Sequence, residues 1–180
     1  MRQGQIRIIG GAWRGRKLPV VDRPGLRPTP DRIRETLFNW LQGQIVGARC
    51  LDLFAGTGAL AFEALSRGAE WAVLIEPDPL VRAHLEASQR ALHARAFVYA
   101  GRFPDQLPLL QEGPFDLVFL DPPFKQGLLA PALEWLIQNN LLSAKASIYV
   151  ECEPELEFVC PVGWEIYRWI KRRGGLLTRR

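Results

Sequence analysis

The sequence predicts an α/β fold: a mostly parallel seven-stranded sheet with helices on both faces, plus a small N-terminal β-hairpin and helix extension. Three observations carry this. From residue 49 onward, short apolar runs alternate with amphipathic stretches, the signature of repeated strand–helix units. The early apolar runs end in a glycine turn or an acid, where ligands meet such sheets. Ahead of residue 49 lies a separate basic piece rich in turn residues. At 180 residues and 48% apolar content, the chain is sized for one core.

Taken in order, Ile6 to Leu18 carries turn-prone sites at Gly10-Gly11 and Gly15 among basic residues, as in a hairpin. In Arg27-Pro28-Thr29-Pro30-Asp31, Thr29 is placed to cap a helix with Pro30 at its first position. Ile33, Leu37, Trp40 and Leu41 share one face of that helix, and Arg34 and Glu35 receive no role. Residues 1–28 read as a basic hairpin extension and 29–180 as the main domain, with helix 29–42 packed on its core.

Arg49 to Phe54 is the first core strand, ending in the turn Ala55-Gly56-Thr57-Gly58. Leu60, Ala61, Ala64 and Leu65 mark a helical face that Gly68 terminates. Trp71 to Ile75 is the next strand, closed by Glu76-Pro77-Asp78, and a polar helix runs from Pro79 to Leu92. Ala96 to Ala100 predicts a third strand, Phe103 to Gln111 a short helix, and Phe115 to Leu120 a fourth strand. Leu128 to Ile137 is helical and Ala146 to Glu151 is the fifth strand. Gly163 to Ile170 and Gly175 to Thr178 add a closing antiparallel pair.

No apolar run approaches the ~20 residues of a membrane span, and Met1 to Gln5 lacks an apolar signal core, so the expected location is the cytoplasm. Cys50, Cys152 and Cys160 are too few and too scattered for a disulfide framework or a metal site. Cys50 reads as a small buried hydrophobe, and His84 and His93 are given no role. The net charge of +4 is unevenly spread. Residues 1–34 hold nine Lys/Arg against two acids, residues 168–180 hold six against none, and the middle holds eight against seventeen. An acidic body with two basic ends suggests a phosphate-lined track.

The chemistry is concentrated at strand ends. Asp121-Pro122-Pro123-Phe124 follows the fourth apolar run. Prolines fix φ and donate no hydrogen bond, so the Asp121 side chain and the Pro122 carbonyl form a rigid acceptor pair beside the ring of Phe124. Two acceptors and a flat apolar wall suit the exocyclic amine of a nucleobase. Alone, the tetrapeptide is equally a turn that ends a strand. At the first strand end, Gly56 and Gly58 allow close backbone approach, and Glu76 follows eighteen residues after Gly58, placed for ribose hydroxyls. Ala61 stands where a dinucleotide fingerprint has its third glycine. Asp52 suits the cationic amino-acid end of S-adenosylmethionine better than a pyrophosphate. This favours S-adenosylmethionine over a nicotinamide cofactor.

With Asp52 to Gly58, Glu76 and Asp121 to Phe124 in order on successive strand tips, the chain resembles class I, Rossmann-like methyltransferases. The tetrapeptide is similar to the [Asn/Asp]-Pro-Pro-[aromatic] motif of enzymes that methylate base amines. Arg7 to Leu18, Arg27 to Leu41 and Phe54 to Leu60 resemble the bacterial 16S ribosomal RNA guanine-N2 methyltransferases across nearly the whole chain. That resemblance implies methylation of a guanine N2 in 16S rRNA, guanine 966, within a small subunit, by a monomer that needs no metal. It implies catalytic Asp121, Pro122 and Phe124. It implies a cofactor site of Asp52, Phe54, Ala55, Gly56, Thr57, Gly58, Glu76, Pro77, Gly101 and Arg102. Arg14, Arg16, Lys17, Arg32 and Lys125 are the candidates for RNA phosphates, with Lys171-Arg172-Arg173 as a further basic cluster. Gly101-Arg102 departs from the polar-then-small pair usual near the adenine. The chain also ends soon after Leu177, which predicts a weakly anchored last strand. Competing readings are an adenine-N6 methyltransferase of DNA or RNA, a non-catalytic RNA-binding factor on this fold, and a nicotinamide oxidoreductase.

Overall fold

The computed structural model describes residues 4–180, so Met1 to Gln3, part of the stretch read for a leader, lie outside it. Two strands, β1 (Gly4–Arg7) and β2 (Lys17–Val20), pair antiparallel with Ile6 opposite Leu18. The hairpin is as expected, and Gly11 and Gly15 both adopt positive φ in its connection. Helix α1 (Asp31–Trp40) follows, then β3 (Arg49–Asp52), α2 (Ala59–Ser66), β4 (Trp71–Glu76), α3 (Pro79–Leu92) and β5 (Ala96–Ala100). The chain continues through β6 (Phe115–Leu120), α4 (Leu129–Gln138), β7 (Leu142–Glu151), β8 (Trp164–Ile170) and β9 (Gly174–Arg179).

The large sheet has seven strands in the order β5-β4-β3-β6-β7-β9-β8. The first five of these are parallel, and β9 runs antiparallel between β7 and β8. Strand order reverses between β3 and β6, which opens a crevice at their carboxyl ends. One face of the sheet packs Cys50, Leu74, Phe119 and Tyr149 against the hairpin, α1, α2 and α3. The other packs Leu51, Val73, Val118 and Ile148 with α4, Phe103 and Trp164. Burying each large side chain contributes roughly 1.5–3 kcal/mol, which is why the strands read as continuous apolar runs. Among the described residues no helix is long and apolar enough to cross a membrane.

Four local expectations are corrected. Phe103 to Gln111 is not a helix: it is a turn whose backbone bridges Arg102 to Gln106, because Pro104 and Pro108 supply no N–H. Thr29 does not cap α1; its hydroxyl donates instead to Glu151 Oε1 at 3.3 Å, a buried charged acceptor. The buried face of α1 is Arg34, Leu37, Phe38 and Leu41, with Ile33 and Trp40 at its margins. The last strand, β9, is firmly held, since both of its edges are paired.

Arg34 is 1% exposed and reaches Asp31 at 2.6 Å, Glu63 at 3.2 Å and the carbonyls of Arg7 and Thr29. Glu63, on α2 and fully buried, also accepts the backbone amides of Ile9 (3.0 Å) and Gly10 (2.9 Å) and Arg67 Nε (2.9 Å). One carboxylate thus ties together the hairpin, α1 and α2. Gly11 is pressed against the end of α2, where a Cβ would lie 1.9 Å from the Ser66 carbonyl oxygen. The hairpin is therefore seated on the core in a defined pose.

Candidate active site

The crevice at the strand ends opens into a cleft of about 1030 Å3. Parallel register brings the tips of β3, β4 and β6 together: Asp52 lies level with Leu74 and Phe119, so Glu76 and Asp121 project just beyond it. Asp52, Phe54, Ala55, Gly56, Thr57, Glu76, Pro77, Gly101 and Arg102 all line the cleft, as do Asp121, Pro122 and Phe124. Gly58 does not; it precedes α2 at φ +77°, where a Cβ would meet Leu85 and Phe62 at 2.7 Å. Its glycine serves the turn and the packing behind it.

Carboxylates cluster at the strand tips that floor the cleft. Burial, reinforced by Glu76, pushes the Asp52 carboxyl up to about 7, while backbone amides of Ala61 and Phe54 draw it back. Burial likewise raises Glu76, whose two oxygens already accept the amides of Gly56 (3.1 Å) and Asp78 (3.0 Å). Burial, Glu151 and Asp52 hold the Asp121 carboxyl well above the usual range, and Arg173 opposes them. Three desolvated acids at one site favour a cationic guest, which would return charge balance to the floor.

Beside them the Asp121 tetrapeptide presents its acceptors. Among the described residues, nothing donates to the Asp121 carboxyl or to the Pro122 carbonyl. Phe124 is 46% exposed. Gly101 explains its own identity: a Cβ there would lie 2.9 Å from the Gln106 carbonyl oxygen and from Ile75 Cγ2. The turn after β5 folds back across it, so only glycine fits, and the exposed Arg102 contributes backbone to that turn. Phe103 sits behind, edge-on to Phe54 with centroids 6.1 Å apart.

Other cleft residues are given no place at this site by the sequence, and of these only Arg172 and Arg173 are read for RNA phosphates. The segment from Arg23 to Pro30 lines the cleft beside the glycine turn, with Leu26 against Gly56 and Arg23 paired to Asp78 at 3.2 Å. Glu151, Cys152, Arg172 and Arg173 line its far side. Proline-rich loops and strand ends distant in sequence carry no local signal of such a meeting. The other phosphate candidates lie elsewhere: Arg14, Arg16, Lys17, Arg32 and Lys125 are all exposed, and none lines the cleft. Arg16 rests on the Ala91 carbonyl at 3.2 Å, and Lys125 donates its backbone N–H to Glu153 at 3.3 Å.

Comparison with known proteins identifies relatives of the chain. The family model described as "Conserved hypothetical protein 95" matches residues 6–175. The ribosomal RNA small subunit methyltransferase D of Escherichia coli is 49% identical over 175 residues, covering 92% of this chain and 84% of that protein. Its Haemophilus influenzae namesake is 45% identical, covering 92% and 88%. The solved structure of a putative methyltransferase from Escherichia coli superposes with a TM-score of 0.85 at 48% identity, covering 98% of both chains. On the family match, the shared identity and the common architecture, the chain belongs to the Conserved hypothetical protein 95 family, the family of these bacterial ribosomal RNA methyltransferases.

Proposed function

We propose that this protein methylates ribosomal RNA of the small subunit, using S-adenosylmethionine, and that the acceptor is the exocyclic N2 amine of a guanine in 16S rRNA. The observation that carries the acceptor assignment is the unpartnered pair of Asp121 and the Pro122 carbonyl beside an exposed Phe124 ring. The relatives' names support ribosomal RNA as substrate. Guanine and its N2 position, guanine 966 included, rest on the motif resemblance.

The residues present fit the cofactor. Asp52 offers a buried carboxylate for a cationic amino-acid end, and Glu76 offers acceptor oxygens for ribose hydroxyls. The Gly56 turn and the Gly101 corner leave backbone exposed for close approach. When bound, S-adenosylmethionine supplies an electrophilic methyl group. Asp121 and Pro122 accept the two amine hydrogens, turn the nitrogen lone pair toward the methyl, and stabilise positive charge as it develops there; the N–C bond would form as the C–S bond breaks with its pair left on sulfur, and one amine proton would leave to water. Phe124 stacks on the unpaired base. Alignment of nitrogen and methyl provides most of the acceleration, and no covalent enzyme intermediate is required. Within the basic extension of residues 1–28, Arg14, Arg16 and Lys17 grip RNA phosphates outside the cleft, together with Arg32 and Lys125.

The test is transfer of labelled methyl to unmethylated small subunits and to protein-free 16S RNA, with nucleoside analysis of the product. N2-methylguanine is expected; N6-methyladenine would transfer the assignment to the adenine alternative. Asp121→Ala should lower transfer about 10²- to 10³-fold while cofactor affinity changes little. Normal turnover in that variant would sink the mechanism.

A further inference from the structure

Glu151 ends β7, and its neighbour Val150 pairs with Leu120 in parallel register, so the chain places Glu151 beside Asp121. It is 4% exposed yet lines the cleft. Its Oε1 accepts the Tyr149 hydroxyl at 2.9 Å and the Thr29 hydroxyl at 3.3 Å, and its Oε2 pairs with Arg173 Nη2 at 3.2 Å. Arg173 sits in the β8–β9 turn, is itself held by Cys152 N–H bonding to its carbonyl at 2.7 Å, and has a buried Nε with no partner. Elements far apart in sequence therefore converge on one carboxylate next to the amine acceptor. A buried acid held by hydroxyls and one cation acts on its neighbour mainly through its charge.

We propose that Glu151 and Arg173 form a positioning pair for methyl transfer: by their opposed charges beside Asp121 they decide the pH at which Asp121 becomes the anionic acceptor of the base amine. This rests on the acceptor role given to Asp121 above. The other charged or titratable groups facing Asp121 are Asp52 from β3, which also raises it, and the Tyr149 hydroxyl from β7. Glu76 and Arg172 line the same cleft. Removing the Glu151 charge leaves one anion fewer beside Asp121, and removing Arg173 leaves one cation fewer. The two changes must act in opposite directions, which a purely structural role would not produce.

The full chain, labelled with 13C in the aspartate side-chain carboxyls, gives the direct test. The Asp121 resonance is assigned by its loss in Asp121→Asn, and its titration is followed without cofactor. Glu151→Gln should move the Asp121 midpoint down by about one pH unit, and Arg173→Gln should move it up by a similar amount. The double variant should fall between them. Unmoved midpoints, or two shifts in one direction, overturn the proposal. Should Glu151→Gln fail to fold, Arg173→Gln decides by itself. Single-turnover methyl transfer to unmethylated small subunits then separates this inference from the reading beneath it. Acid limbs displaced like the midpoints support both. An unmoved limb in an active enzyme overturns the pair alone, and no guanine methylation by the native chain overturns the acceptor role.

Discussion

At the scale of single residues, the cleft works by keeping carboxylates away from water. Asp52 illustrates the consequence. Its unfolded carboxyl titrates near ~3.9, and its folded value lies at about 7. Because folding raises it, its contribution to stability is fully present below the unfolded value and is lost as pH rises through about 7. In the proposed cofactor site a cationic guest would reverse the preference, since it would bind the ionised form and expel a proton. Cofactor affinity should therefore rise about tenfold between pH 6 and pH 8, the ratio of ionised Asp52 at those values. Isothermal titration in buffers of different ionisation enthalpy measures both affinity and proton release. Asp52→Asn should bind weakly and lose the pH dependence, and a retained dependence would assign it to Glu76 or Asp121.

At the scale of elements, the hairpin, α1 and α2 are joined through Glu63 and Arg34, a pair the sequence hides. Charged residues on amphipathic helices read as solvent-facing, and nothing local marks these two as buried. A buried ion pair stripped of one partner leaves the other charge without compensation, at a cost of about 3–5 kcal/mol. Glu63→Ala should lower unfolding free energy by about the lower end of that range in chemical denaturation, because the Ile9 and Gly10 amides lose their acceptor while Arg34 keeps Asp31 and two carbonyls. The hairpin should also gain protease sensitivity at Arg14 and Arg16 before the core unfolds. Simultaneous loss of both regions would mean the hairpin has no separable stability. The misread helix at Phe103 to Gln111 belongs to this scale as well. Its apolar spacing is genuine, since Phe103, Leu107 and Leu110 pack on the sheet, but prolines make an irregular segment do that work.

At the scale of the whole molecule, a cleft lined by five acids and five arginines lies within a chain whose ends are basic. The five exposed cations assigned to RNA are outside the cleft, so they would hold the substrate by its backbone while the cleft receives one base. Such binding releases counterions, and affinity should fall linearly on a log–log plot against salt, with a slope near −0.7 per single-strand phosphate neutralised. Filter binding of 16S RNA fragments across a salt series measures it. Arg14→Ala with Lys17→Ala should reduce the slope by about 1.4 without altering cofactor affinity. A flat salt response would remove these residues from the interface.

The order of strands and helices, apart from the helix expected at Phe103 to Gln111, the sheet type and the three strand tips that line the cleft were legible in the sequence. Each depends on local patterning: apolar runs bounded by glycine, proline or acid, with the tips placed by parallel connectivity. Only the tertiary structure decided that Thr29, Glu151 and Arg173 meet beside Asp121, that Arg23 to Pro30 lies along the cleft, and that Gly58 stands behind its wall. These facts depend on which residues burial brings together across long sequence separations. The strength of a buried charge depends on that surrounding set, which no single segment of the chain contains.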